Sequence, residues 1–397
     1  MTHFWDALRN RREKGSFASL LAGILVTILL LLIPTGFEDA VIYQGADQVR
    51  ATVLSVDNQA IVSSGLIQSG EQYCSVRLEG GRFKGEVVTA FNLLSGSLEL
   101  DKIFAPGDSA LVTVSYQDGQ IQSVNMVDHC RIAWEGVLAL VFVLLLVVFA
   151  GWAGVRAILS FLITVLAIWK ILVPCCLRGY DPIWVGLAVV LALTVMIIVF
   201  VYGFDSRSLS AVLGSMLGVV TTGILGVAFT GLLRIHGAVM QNSESLLYSG
   251  YQHLDLTRIF MASIFIGASG AMMDLAVDIT SGVYEVVCKR PDISAREAVF
   301  SGLRIGRAAM GTMTTTLLLA YSGGYLSLLM VFMAQGTPLI NILNYKYVSS
   351  EILHTLVGSF GLVTVAPFTA VVSGVALTRR AHEGRLNQPQ TGECAEN

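Results

Sequence analysis

Residues 133–151 read AWEGVLALVFVLLLVVFAG, with one charge, Glu135, near the start of the run and none after it. A helix rises about 1.5 Å per residue and needs about 20 apolar residues to cross about 30 Å of hydrocarbon, so this run reads as a membrane span. Comparable runs follow at 155–173, 183–202, 208–233, 258–283, 307–334 and 351–377, and one precedes the rest at 17–33. Eight transmembrane helices are expected. Composition agrees: apolar residues make up 54% of the 397 and charged residues 13%, against about 25% charged in a soluble domain. With a mean hydropathy of +0.70, a water-soluble surface cannot be built from this chain. The net charge of −3, with no basic stripe on a polar face, excludes a nucleic-acid partner.

The first run, Phe17 to Ile33, follows Arg9, Arg11, Arg12 and Lys14. It is longer than a usual signal-peptide core and lacks a small-x-small cleavage site, so it reads as an uncleaved signal-anchor. Residues 36–131 differ in character. Apolar residues alternate there, as in Val49-Arg50-Ala51-Thr52-Val53 and Cys74-Ser75-Val76-Arg77-Leu78, which is the period of strands. Gly80-Gly81, Pro106-Gly107-Asp108 and Asp118-Gly119 supply turns. The expected organisation is a cytoplasmic start with its anchor helix (1–35), a small extracytoplasmic β-barrel or sandwich of five or six strands (36–131), a seven-helix membrane domain (132–378) and a tail (379–397).

Orientation follows from Lys and Arg beside short loops. With the N-terminus inside, fourteen of them fall on the cytoplasmic side and five on the short outer segments. Both termini are therefore expected on the cytoplasmic side. That places Cys74, Cys130, Cys175 and Cys176 outside, where disulfides persist, and Cys74 to Cys130 is a candidate bridge. Cys175-Cys176 lacks the spacing of a metal site and reads as two small loop residues. The outer loop holds His236, Glu244, His253 and Asp255 in no compact ligand pattern and reads as solvated. Asp292 or Ser294 is expected to cap a helix starting near Ala295.

Ionisable groups at membrane depth tend to serve a pathway. Glu135, Lys170 and Glu351 sit at span ends and can reach the interface by snorkelling. Asp274 and Asp278 cannot. Four residues apart, they share one helix face with Cβ atoms about 5–6 Å apart, and each raises the other's affinity for a proton or cation. Gly267 and Gly270 before them suit close helix approach or, less readily, a local break. Counting from the inner boundary at about 1.5 Å per residue puts Asp278 about 7 Å and Arg307 about 5 Å deep. Asp274 and the Thr312-Met313-Thr314-Thr315-Thr316 run both lie near about 14 Å. A polar layer of Asp274 and threonines above an Asp278–Arg307 charge pair is expected, against the plainer alternative of a structural salt bridge and threonines bonded to their own helix.

Ile266 to Asp274, with Ile279 to Ser281 and Glu285, then Ser301-Gly302, Ile305-Gly306-Arg307, Gly311 to Thr314, Thr316 to Tyr321 and Val357-Gly358-Ser359, resembles the YibE/F-like family of bacterial membrane proteins. The resemblance implies a cytoplasmic-membrane protein of ill-defined activity, often guessed to be transport. Two positions depart from the family pattern: Ala308 stands where Asp is expected and Thr315 where Asn is expected. The reading is a secondary transporter or permease component whose acidic site takes an ion or small solute, with Asp274, Asp278, Arg307, Thr312, Thr314, Thr315 and Tyr321 as its residues. The rival is a non-transporting scaffold or sensor whose outer β domain binds a protein partner. No phosphate-binding Gly-rich loop, no cofactor signature and no hydrolase motif is present, so an enzyme is not expected.

Overall fold

The computed structural model describes residues 20–38, 45–203 and 205–386, so expectations placed on Phe17, Arg9, Arg11, Arg12 and Lys14 lie outside the described residues. The chain forms two compact units: Phe37–Gly151, and Met1–Gly36 together with Trp152–Asn397.

The first unit is built on β1 (Ala46–Asp57), β2 (Ile61–Ser64), β3 (Ile67–Leu78), β4 (Val87–Ser95), β5 (Ser109–Gln117) and β6 (Gln120–His129). The order is β1-β5-β6-β4-β3-β2 with β1 also paired to β3, so five strands close into a barrel and β2 extends one end of β3. All pairings are antiparallel except β4 with β6. Leaving β2 aside, this is the Greek-key order of the OB barrel. β1 serves two neighbours because its register shifts between Val53 and Ser55: its first half pairs with β5 and its second with β3. Alternation sends Val49, Ala51, Val53, Val76, Leu78, Val112 and Val114 inward. Asp118 and Gly119 both take positive φ, 52° and 78°, the two-residue turn whose twist suits a hairpin.

Buried Phe104 plugs the barrel, and Gln72 ties it in place. The Gln72 amide nitrogen donates to the Phe104 carbonyl (2.8 Å) and its oxygen accepts from the Phe104 amide (3.0 Å) and from Asn92 Nδ2 (3.0 Å). Asn92 also donates to the Lys102 carbonyl at 2.6 Å. Asp101 accepts from the backbone amides of Ser95, Gly96 and Ser97, which holds its carboxyl below the usual range.

Helix α1 (Leu20–Leu32) precedes the barrel. Helix α2 (Ile132–Ala167) follows it and breaks at Gly151 (φ 55°, ψ −130°), where the boundary between the two units also falls. It runs on through a π-helical turn, Ile168–Leu172, into α3 (Val173–Leu177). Lys170 Nζ donates to the Ile33 carbonyl (3.2 Å) and Arg178 to that of Thr35 (2.8 Å), tying this stretch to the end of α1. Then come α4 (Pro182–Tyr202), α5 (Ser206–Leu232), α6 (Ser243–Tyr248), α7 (Leu256–Lys289), α8 (Ala295–Gly323), α9 (Leu326–Ala334), α10 (Leu339–Asn344) and α11 (Lys346–Leu386). The caps are legible side chains: Asp181, Asp205 and Asp255 cap α4, α5 and α7, and Ser294, not Asp292, caps α8 in a capping box with Glu297.

Helices α5, α7, α8 and α11 make the core of this unit, and small residues let them approach. A Cβ on Gly361 of α11 would stand 1.9 Å from Thr222 Oγ1 and 2.2 Å from Met272 Cε; one on Gly302 of α8 would stand 2.8 Å from Val283. Such contacts suit helices that associate by van der Waals packing.

Among the described residues, five helical stretches are long and apolar enough to cross a membrane, and six if α8 and α9, bent by 67°, count as one span. The difference from the expected eight has two sources. The expected spans 133–151 and 155–173 fall within one helical run, Ile132–Leu177, and of the expected first span only Leu20–Leu32 is a described helix. The predicted Cys74–Cys130 bridge is not formed; both thiols are free. Cys74 points into the barrel core from β3 and Cys130 follows β6, with β4 between the two strands. Two strand spacings of about 4.8 Å exceed the roughly 7 Å that a disulfide spans between Cα atoms.

Candidate functional site

Helix α7 carries its two carboxylates on one exposed face. Ser263, Gly267, Gly270, Asp274 and Asp278 recur at intervals of three and four, while Phe265, Ala268, Met272, Leu275, Ala276 and Ile279 fill the buried face. The helix is continuous from Leu256 to Lys289, so the glycines do not break it. Gly267 admits the Tyr321 hydroxyl, which would lie 2.9 Å from a Cβ there, and Gly270 faces open space. Both carboxylates are exposed and neither takes a hydrogen bond or ion pair among the described residues. In hydrocarbon each would cost roughly 2.5–3.5 kcal/mol, so this face is made for water, an ion or protein rather than lipid.

Two neighbours fix the orientation of α7. Tyr202 of α4 donates its hydroxyl to the Val277 carbonyl at 2.6 Å, within the turn that carries both carboxylates. On the other flank, Ile279 meets Gly306 of α8 and Val283 meets Gly302. This antiparallel register sets Asp278 level with Arg307 and Asp274 level with Gly311 and Thr312. The anticipated Asp278–Arg307 pair is nevertheless absent: sharing a level does not make two side chains face one another, and Arg307 is exposed without an ion pair among the described residues. Thr312, Thr315 and Thr316 bond back to the carbonyls of Ala309, Gly311 and Thr312, while Thr314 is half-buried.

Toward the start of α7 the polar face meets a cluster in which Tyr321 is joined by Ser263 and His354, two residues that the sequence did not single out. His354 Nε2 of α11 lies 3.1 Å from Ser263 Oγ, and its ring packs edge-on against Phe260 and Tyr321, with centroids at 5.1 and 5.8 Å. Glu351, one turn earlier, sits beside Tyr321 and Tyr325 with its Oε1 buried. It is thus half-enclosed by the tyrosines at the end of α8 and the start of α9. The available signals were a single histidine in an apolar run and a serine eleven residues before Asp274. Among the described residues no three His, Cys, Asp or Glu side chains converge as a metal cluster. His236 and Asp255 serve as caps, accepting from the Ala238 amide and from those of Thr257 and Arg258.

At the end of α4 and start of α5, Asp205 accepts from the Ser206 amide (2.7 Å), from Arg207 Nε (2.9 Å) and from Arg380 of α11. Burial alone would raise its carboxyl, but these donors hold it below the usual range. Arg207 in turn stacks 4.3 Å from the Tyr284 ring on α7. This clamp locks α5, α7 and α11 together at the end where α7 finishes.

The model of the YibE/F-like protein family matches residues 138–379, more than half of the chain and all of α7, α8 and the cluster on α11. No curated protein and no solved structure gives a significant match. By that match and the residues it covers, the chain belongs to the YibE/F-like protein family.

Proposed function

We propose that this chain is a multi-pass protein of the bacterial cytoplasmic membrane, with eight membrane segments, the barrel outside and both termini in the cytoplasm. It acts as a secondary transporter or permease component. Asp274, with Asp278, takes a proton or cation at partial membrane depth. The observation that carries this is the polar face of α7, which continues from the His354–Ser263 contact past two glycines to both carboxylates without a large apolar side chain. Such a stripe suits a route for a charged species. Thr312, on the neighbouring helix at the level of Asp274, adds hydroxyl oxygen to the site. The Ala308 and Thr315 departures leave the carboxylates of α7 as the acidic part of the site.

The test is a thermal-shift panel of H⁺, Na⁺, K⁺ and Mg²⁺ on the purified protein, followed by flux of the stabilising ion into proteoliposomes. A ligand that binds the folded state alone must raise its stability. Asp274→Asn is expected to remove both the shift and the flux while leaving the protein inserted; flux retained by that variant rules the site out.

A second reading is supported by the barrel surface. Leu66, Leu93, Leu98 and Leu100 are each about 70% exposed or more, and three of them flank the Asp101 loop. Apolar side chains clustered on a small barrel suit a protein partner, as a scaffold or sensor requires. Leu98→Ser with Leu100→Ser is expected to abolish capture of that partner in cross-linked membranes; an unchanged cross-linking pattern removes this reading.

A further inference from the structure

The exposed faces of the core helices are of two kinds. On α5 the exposed side chains include Leu209, Leu213, Leu217, Val220, Ile224 and Val227, a surface that suits hydrocarbon. On α7, from Gly267 to Glu285, the exposed positions are only glycine, aspartate and glutamate. On α8, from Arg304 to Thr316, they are only arginine, alanine, glycine and threonine. The two helices lie side by side, so together they present one polar surface, acidic along one helix and basic toward the start of the other. Asp278 and Arg307 stand at the same level on it, and neither has an ion pair within the described residues.

We infer that the same face of a second copy of this chain covers it, related by a two-fold axis along the bilayer normal. An axis in that direction keeps every residue at its own depth. It also lays α7 of one protomer over α8 of its partner, and α8 over α7. Asp278 of each protomer then meets Arg307 of the other, giving two equivalent pairs that no single chain makes. The self-complementary charge pattern is what selects a second copy over an unrelated protein. Gly270, Ala308 and Gly311 leave room for close approach of the helices. The inference rests on exposure and charge alone, and holds whether or not the face conducts an ion.

The experiment counts protomers in lipid nanodiscs by photobleaching of a fluorescent fusion. The wild-type chain is expected to give two. Asp278→Arg alone sets arginine against arginine, Arg307→Asp alone sets acid against acid, and each is expected to give one. Co-expressed, these two single variants restore both pairs in trans and are expected to return to two, as mixed dimers. A pair made within one chain cannot be rescued that way. A wild-type count of one, single reversals that still count two, or a co-expressed mixture that stays at one would each overturn the inference. Should a reversal fail to insert, Asp278→Asn with Arg307→Gln in one chain keeps the test, with at least a tenfold weaker dimer expected.

Discussion

Ile279 Cδ1 lies 3.0 Å from the point where a Cβ on Gly306 would stand, so two antiparallel helices touch at that level with no side chain on one of them. That contact fixes the register of α7 against α8. It decides which residues share a depth, and it leaves the carboxylates of α7 turned away from the interface between the two helices.

Glycines in this unit are therefore not equivalent. Gly361→Ala drives a methyl group to within 2.2 Å of Thr222 and Met272, and is expected to cost about 1–3 kcal/mol. Gly231→Ala on α5 meets nothing within 4 Å and is expected to be neutral or to stabilise by about 0.5–1 kcal/mol. Thermal midpoints in detergent read both; equal shifts for the two would contradict the packing described.

Asp205 gives an acid limb. Its folded carboxyl is depressed, so the clamp contributes fully above the ordinary carboxylate range near about 3.9 and is lost as pH falls through the lower folded value. Asp205→Asn is expected to cost about 1–2 kcal/mol at pH 7 and to flatten the stability profile below about pH 4. An acid profile unchanged by the substitution would show that Arg207 and Arg380 contribute nothing there.

In the barrel, Gln72→Leu strips the Phe104 amide and carbonyl of their partners while keeping the side chain's bulk. Each buried group left unpaired costs about 1–3 kcal/mol. Amide hydrogen exchange of the full chain is expected to accelerate across 96–108 and at Phe104 itself, with β5 and β6 less affected.

Burial pushes the Cys74 thiol up to about 11, whereas Cys130 sits half-exposed after the last strand. At pH 8, maleimide is expected to label Cys130 at least about tenfold faster than Cys74. If neither labels until a reductant is added, the two are bridged after all.

Much of this was legible in the sequence. Local chemistry gave the Asp118-Gly119 turn, the Ser294 cap and the shared face of Asp274 and Asp278, because each depends on residues close along the chain. Counting residues from the helix ends also gave the common depth of Asp278 and Arg307. Counting could not give the rotation of either helix about its axis, which is set by the contacts of Gly302 and Gly306, so a shared depth does not bring the two side chains together. The His354–Ser263 contact joins residues ninety-one apart, beyond any local pattern. The closure of the barrel likewise depends on β1 dividing its two halves between β5 and β3.

That division also bears on how copies of the chain live together. Since the ladder of hydrogen bonds returns on itself, the barrel offers almost no free strand edge; among the described residues β2, four residues long, is the edge strand that remains. An open sheet crowded beside its neighbours on one membrane surface is a template for runaway strand addition. A closed one is not, and neighbouring barrels can collide repeatedly without polymerising.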